Sequence, residues 1–178
     1  MSVIETLTQH NDVFSRTSFP AGLKIIPKTK TMILGCVDPR VDPSDIFGLE
    51  LGDAAIIRNV GGRVTPDVFD TLAMLRVVAK AGGGDLGASW NLIVLHHTDC
   101  GITRLTQSPE LLAKYFGVAS AGLDALAIND PRASVAIDVA ALKANPGLPA
   151  GFLVSGLVYD VATGRVETVV EPSLLRAE

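Results

Sequence analysis

The chain has 178 residues, the length of one domain and enough to bury a core. Hydrophobic residues make up 48% and charged residues 19%, a balance that excludes a long disordered or low-complexity chain. The formal net charge is -4 and no run of like charges occurs, so the basic footprint of a nucleic-acid binder is missing.

The first twenty or so residues read as a helical arm carrying Val3, Ile4, Leu7, Val13 and Phe14, with few core positions of its own. Glu5 sits early and no apolar segment follows a basic start, so Met1 to His10 does not read as a signal peptide. The expected compartment is the cytoplasm, where the only two cysteines, Cys36 and Cys100, stay reduced. The most apolar run, Leu92 to Leu95, has a strand's length, and nothing approaches a membrane span.

Further along, short β-branched apolar segments predict strands over Thr31 to Leu34, Ala55 to Asn59, Asn91 to Leu95 and Phe152 to Leu157. Their near-continuous apolar character is that of parallel strands buried on both faces. Arg165 to Val170 alternates polar and apolar after the turn Ala162-Thr163-Gly164, as an edge strand does. Between them, Thr65-Pro66-Asp67 opens a helix with Val68, Leu72, Leu75 and Ala79 on one face and Gly82 at its end. Ser108-Pro109-Glu110 and Asp130-Pro131 repeat the start signal, the second for a helix running to about Ala144. Strands alternating with helices predict an α/β fold: a mostly parallel central sheet flanked by helices, with a C-terminal antiparallel edge strand and an N-terminal helical arm. No repeat or linker divides it, so residues 1–178 read as a single domain, with 1–20 as the arm.

The chemistry gathers at strand ends. Cys36 follows the first predicted strand, and His97 and Cys100 follow the third. In open α/β sheets ligands collect beyond the carboxyl ends of strands. His97-Thr98-Asp99-Cys100 places two donors three residues apart, within one turn. Three protein donors leave a fourth position open, as in catalytic zinc sites, and thiolates with an imidazole favour zinc over magnesium or calcium. The alternative is plain: a lone cysteine is often a small buried hydrophobe. Asp38, two residues after Cys36, is near enough to reach a metal or its water, and Arg40 can grip that carboxylate bidentately. A surface ion pair of little consequence is the competing reading.

Together these residues resemble the signature of the β-class carbonic anhydrases, Cys-x-Asp-x-Arg followed by His-x-x-Cys. Gly52-Asp53-Ala54, Ile57-Arg58-Asn59-Val60-Gly61-Gly62, Gly101 and Ser155-Gly156-Leu157-Val158-Tyr159-Asp160 extend the resemblance over about Pro27 to Val170. The run Leu95-His96-His97-Thr98-Asp99-Cys100-Gly101 is most similar to the small prokaryotic branch. The resemblance implies a zinc lyase (carbonate dehydratase) interconverting carbon dioxide and bicarbonate, with Cys36, His97 and Cys100 on Zn2+, and hydroxide generated there as the nucleophile. It implies that Asp38 accepts the hydroxide's hydrogen while Arg40 holds Asp38 off the metal. An amide near Gly61, Gly62 or Gly101 would orient a substrate oxygen, and a homodimer or larger homo-oligomer would form through the arm.

The chain departs from that pattern in places. Pro39 stands where many members have a small residue, and His96 where many have glycine. His96 reads as a buried, hydrogen-bonded histidine, with proton carrier as the alternative. The stretch from Leu105 to Pro131 is short and poorly matched, which leaves the pocket wall open. Related enzymes that hydrolyse carbonyl sulfide or carbon disulfide share the motif, so substrate is not fixed by it. A non-catalytic zinc-binding homologue would be expected to lack Asp38 or Arg40. A thiol redox protein would be expected to carry Cys-x-x-Cys. The spacing Gly82-x-Gly84-x-x-Gly87 imitates a dinucleotide loop, yet it follows a helix and precedes a strand, the reverse of what that motif needs.

Overall fold

The structure, a computed structural model, describes residues 1–87 and 89–176. Five strands form one mixed sheet in the order β2-β1-β3-β4-β5. They are β1 (Thr31–Cys36), β2 (Ala54–Asn59), β3 (Trp90–His97), β4 (Phe152–Asp160) and β5 (Arg165–Leu174). The first four are parallel to one another, and β5 pairs antiparallel with β4. Helices α3 (Pro66–Ala81) and α5 (Pro131–Ala144) pack on this sheet, and α1 (Val3–Thr17), α2 (Pro43–Phe47) and α4 (Pro109–Phe116) are the other α-helices among the described residues.

Burial follows position in the sheet. Central β1 and β3 are buried over most of their length, as their apolar runs demand. β2 was expected to be buried on both faces, but it is half-buried throughout because it lies at an edge. The main core packs Met32, Leu34, Leu92, Val94 and Val154 against Val68, Leu72 and Ala79 of α3 and Val135, Val139 and Leu142 of α5. A smaller apolar cluster, with Val41, Ile102, Leu112 and Phe116, surrounds Cys36 and Cys100.

The helix starts follow the sequence signals with one difference. Asp130 caps α5 by accepting from the amides of Arg132 and Ala133. Thr65 and Ser108 stand at the cap positions of α3 and α4, but neither side chain makes a capping hydrogen bond; Pro66 and Pro109 carry those starts by fixed φ. The short α2, capped by Asp42, had no apolar periodicity to reveal it. α1 closes a capping box between Ser2 and Glu5 and buries none of its residues. No helix among the described residues is long and apolar enough to cross a membrane. Gly82 to Gly87 connects α3 toward β3 with no helix opening after it, so it is no dinucleotide loop.

Candidate metal centre

The register of the parallel strands brings three chain segments to one edge. Cys36 lies opposite Asn59 at the ends of β1 and β2, and β3 runs alongside to end at His97. Cys36 and His97 are thus the last residues of their strands rather than residues beyond them, because each strand runs two residues further than expected. Asp99, with φ +51°, turns the chain after β3 and returns Cys100 toward Cys36. Asp tolerates this left-handed conformation better than most residues.

The three donors, Cys36, His97 and Cys100, are all buried and lie within 4.8 Å of one another. The two sulphurs are 3.8 Å apart. Two thiolates at about 2.3 Å on a tetrahedral zinc are separated by roughly 3.8 Å. His97 donates Nδ1–H to the carbonyl of Thr98 at 2.8 Å, which leaves the lone pair on Nε2. Nε2 is buried and has no hydrogen-bond partner. A buried orphan of that kind needs an explanation, and a cation beside the two sulphurs supplies one. The donor set therefore fits zinc on chemistry and on spacing.

Electrostatics agree. A hydrogen bond from the Cys100 thiol is the largest influence lowering the Cys36 pKa, with burial opposing it. The amides of Gly61 (3.3 Å) and Asp38 (3.4 Å) also donate to this sulphur. Cys100 is pushed up, by Cys36 and by burial. A metal binds cysteines as thiolates, so taking both sulphurs would release protons. Burial alone would lower the His97 pKa, but the neighbouring Cys36 sulphur outweighs it and the net direction is upward.

The glycines beside the sulphurs are required by geometry. Gly61 and Gly62 both have positive φ, and a Cβ on Gly62 would sit 2.9 Å from the Leu95 carbonyl oxygen and 3.0 Å from the Cys36 nitrogen. Only a residue without a side chain lets this turn press its backbone against β1 and β3.

Asp38 and Arg40 form a tight pair. Arg40 donates from Nε to Oδ1 at 3.0 Å, from Nη2 to Oδ2 at 2.7 Å and from its own amide to Oδ1 at 2.9 Å. These bonds hold the Asp38 carboxyl well below the usual carboxylate range. Both Asp38 oxygens are thereby engaged by Arg40, and Asp38 stands outside the three-donor group.

Some participants were not anticipated. Arg58 ties down the loop after β1 by donating to the carbonyls of Cys36 (2.8 Å) and Asp38 (2.7 Å) and by pairing with Asp42. A charged residue near the end of an otherwise apolar strand was the available signal. Asp99 accepts from Arg40 Nη1 through Oδ2 at 2.8 Å and from Nη2 through its carbonyl at 3.0 Å. Behind the site, Asp138 of α5 accepts from Arg63 Nε (2.7 Å), the Val64 amide (3.1 Å) and His96 Nε2 (3.1 Å). Its spacing from the buried Val135 and Leu142, three and four residues away, was the available signal. His96 is buried, with Nδ1 paired with Ser134 Oγ at 2.9 Å and Nε2 with Asp138, and so links β3 to α5 behind the donors.

A cavity of about 50 Å³ adjoins the donors, lined by Gly61, His97, Cys100 and Ile102 among others. It suits a molecule of a few atoms, against about 30 Å³ per water in the liquid. Clefts of about 310 and 320 Å³ lie elsewhere and contain none of the three donors.

Comparison with known proteins gives a consistent picture. Residues 31–122 match the family model described as carbonic anhydrase. Beta-carbonic anhydrase 1 of Mycobacterium tuberculosis is 30% identical over 164 residues, covering 89% of this chain and 93% of that protein. The crystal structure of carbonic anhydrase from Streptococcus mutans superposes with a TM-score of 0.73 at 36% identity, covering 95% of this chain and 98% of the other. Carbon disulfide hydrolase of Acidianus sp. (strain A1-3) is 27% identical over 172 residues, covering 81% and 79%.

Proposed function

The chain belongs to the β-class carbonic anhydrase family, and from that premise we propose that it is a zinc-dependent carbonate dehydratase acting on carbon dioxide and bicarbonate. Cys36, His97 and Cys100 would hold the zinc; Asp38 and Arg40 would be the catalytic pair. The observation that carries this reading is the convergence of two sulphurs 3.8 Å apart and an unpartnered buried Nε2, next to a carboxylate gripped by arginine.

Zinc bound there would lower the pKa of a water toward neutrality, supplying the nucleophile for carbon dioxide. The chain's own groups do the rest. The Thr98 carbonyl fixes the His97 tautomer, so Nε2 faces the site as a lone pair. The Gly61 and Asp38 amides stabilise the Cys36 thiolate. Asp38, ionised and aimed by Arg40, accepts a hydrogen from the reacting water and orients it. The proton released as water and carbon dioxide become bicarbonate passes to solvent. Gly61 had been a candidate to orient substrate oxygen, but its amide is committed to Cys36.

We assign the working form as a homodimer or larger homo-oligomer in the cytoplasm, the arm α1 lying on a second copy. The support is that α1 buries none of its residues, while Val3, Ile4, Leu7 and Val13 are all more than half exposed.

A second reading is hydrolysis of carbonyl sulfide or carbon disulfide at the same donors, favoured by the carbon disulfide hydrolase relative. Stopped-flow carbon dioxide hydration by the zinc-loaded protein, with both sulphur compounds assayed in parallel, separates them. Rapid hydration is expected. A fully zinc-loaded protein that turns over only the sulphur compounds would replace the first reading with the second.

A further inference from the structure

We propose that Asp99 is the external anchor of the Arg40 clamp, a positioning residue that keeps Asp38 off the metal site and so sets how readily the site admits a small ligand. The inference rests on the reading above and concerns a residue outside the expected catalytic pair.

Asp38 and Arg40 are two residues apart on one loop. A pair within a single loop can swing as a unit, so Arg40 alone does not fix where the Asp38 carboxylate points relative to the other donors. Arg58 pins the main chain of that loop through the Cys36 and Asp38 carbonyls, and the Arg40 amide holds Asp38 Oδ1, but neither contact fixes the position of the guanidinium that grips Oδ2. The missing reference point comes from the second donor loop. Asp99, between His97 and Cys100, receives Nη1 on its carboxylate at 2.8 Å and Nη2 on its carbonyl at 3.0 Å. The guanidinium thus spans both donor-bearing loops, with Asp38 on one edge and Asp99 on the other. A planar guanidinium suits this double grip, whereas an ammonium would act as a point charge.

The backbone conformation does not explain why this residue is charged. At φ +51° asparagine or glycine would serve as well. The bland alternative is a solvated ion pair, since the Arg40 and Asp99 side chains are 48% and 63% exposed. Isolated exposed pairs contribute little, but networks with bidentate arginine are the exception.

The test uses the full chain loaded with cobalt(II), with azide as the probe ligand. Asp99→Asn keeps shape and loses charge; Asp99→Gly removes the side chain and tolerates the same φ. Both should retain metal and thermal stability. Azide affinity, read from the visible spectrum, should fall about fivefold in Asp99→Gly and less in Asp99→Asn, the size of a networked surface pair. The loss should vanish when Asp38→Asn is added, because no carboxylate then competes for the open position. Unchanged azide affinity in Asp99→Gly, or a loss that persists beside Asp38→Asn, overturns the proposal. Failure of the parent chain to take up cobalt with thiolate-to-metal absorption would overturn the metal reading itself, a separate outcome.

Discussion

Cys36 and Cys100 are 64 residues apart in sequence, yet their sulphurs approach to 3.8 Å in a buried site. The contact exists only because two strand ends meet, and it puts both sulphurs and the His97 ring within 4.8 Å of one another.

One zinc per chain should accompany protein purified without added metal. Cys100→Ser should lose it, whereas Asp38→Asn should keep it because Asp38 lies outside the donor group. Elemental analysis decides. Less than about a third of a zinc per chain, unrestored by added zinc, would contradict the site assignment.

Arg40→Ala should abolish most hydration, by roughly a hundredfold or more, while metal stays bound. The loss is that of a misaimed catalytic group. Asp38→Asn should lower activity at every pH tested but leave the site open to azide. Comparison of pH–rate profiles for wild type and both variants checks this. Full activity of Arg40→Ala at neutral pH would remove the roles assigned to both residues.

Acid sensitivity should be traceable to Asp138. Burial by itself would raise its pKa, but hydrogen bonds from His96 and Arg63 outweigh this and hold it below the usual value. A carboxylate with a depressed folded-state pKa stabilises fully above its unfolded value, about 3.9. That contribution is lost as pH falls through the folded value. Asp138→Asn should cost about 3 kcal/mol near neutrality, because Arg63 is left as an unpaired buried cation. Its stability should then change less than that of wild type below about pH 5. Denaturant titrations from pH 7 to pH 3 test the difference; parallel curves for the two proteins would refute it.

The protein should elute as a dimer or larger, and removal of residues 1–19 should weaken the assembly at least about tenfold. A 15-residue helix that buries nothing in its own chain is marginal in water without a partner surface. Light scattering during size exclusion reads the mass directly. An active monomer at micromolar concentration would refute the arrangement.

Much of this was legible in the sequence for identifiable reasons. The central strands could be read because β1 and β3 are apolar runs between clear punctuation, and the starts of α3, α4 and α5 because each places proline at its first turn. The donors stood out because the chain has only two cysteines and three histidines. What escaped was anything fixed by tertiary distance. The sequence does not place Asp99 against Arg40, which lies 59 positions away. It does not show that the Gly61 amide is used up on a sulphur. The edge position of β2 escaped for the same reason, since apolar content does not reveal strand order.

The strand order also dictates when the site can come into being. β1 pairs with β2 on one side and β3 on the other, both parallel, so each pairing needs a crossover rather than a tight turn. As the chain is synthesised, Cys36 emerges long before its partners, and no donor pair can form until β3 has docked on β1. Non-local pairings of this kind are slow to form. On the proposed zinc reading, metal capture would follow the docking of β3 on β1 and report that step. In short metal-binding modules, by contrast, the ion itself organises a chain that is otherwise unfolded.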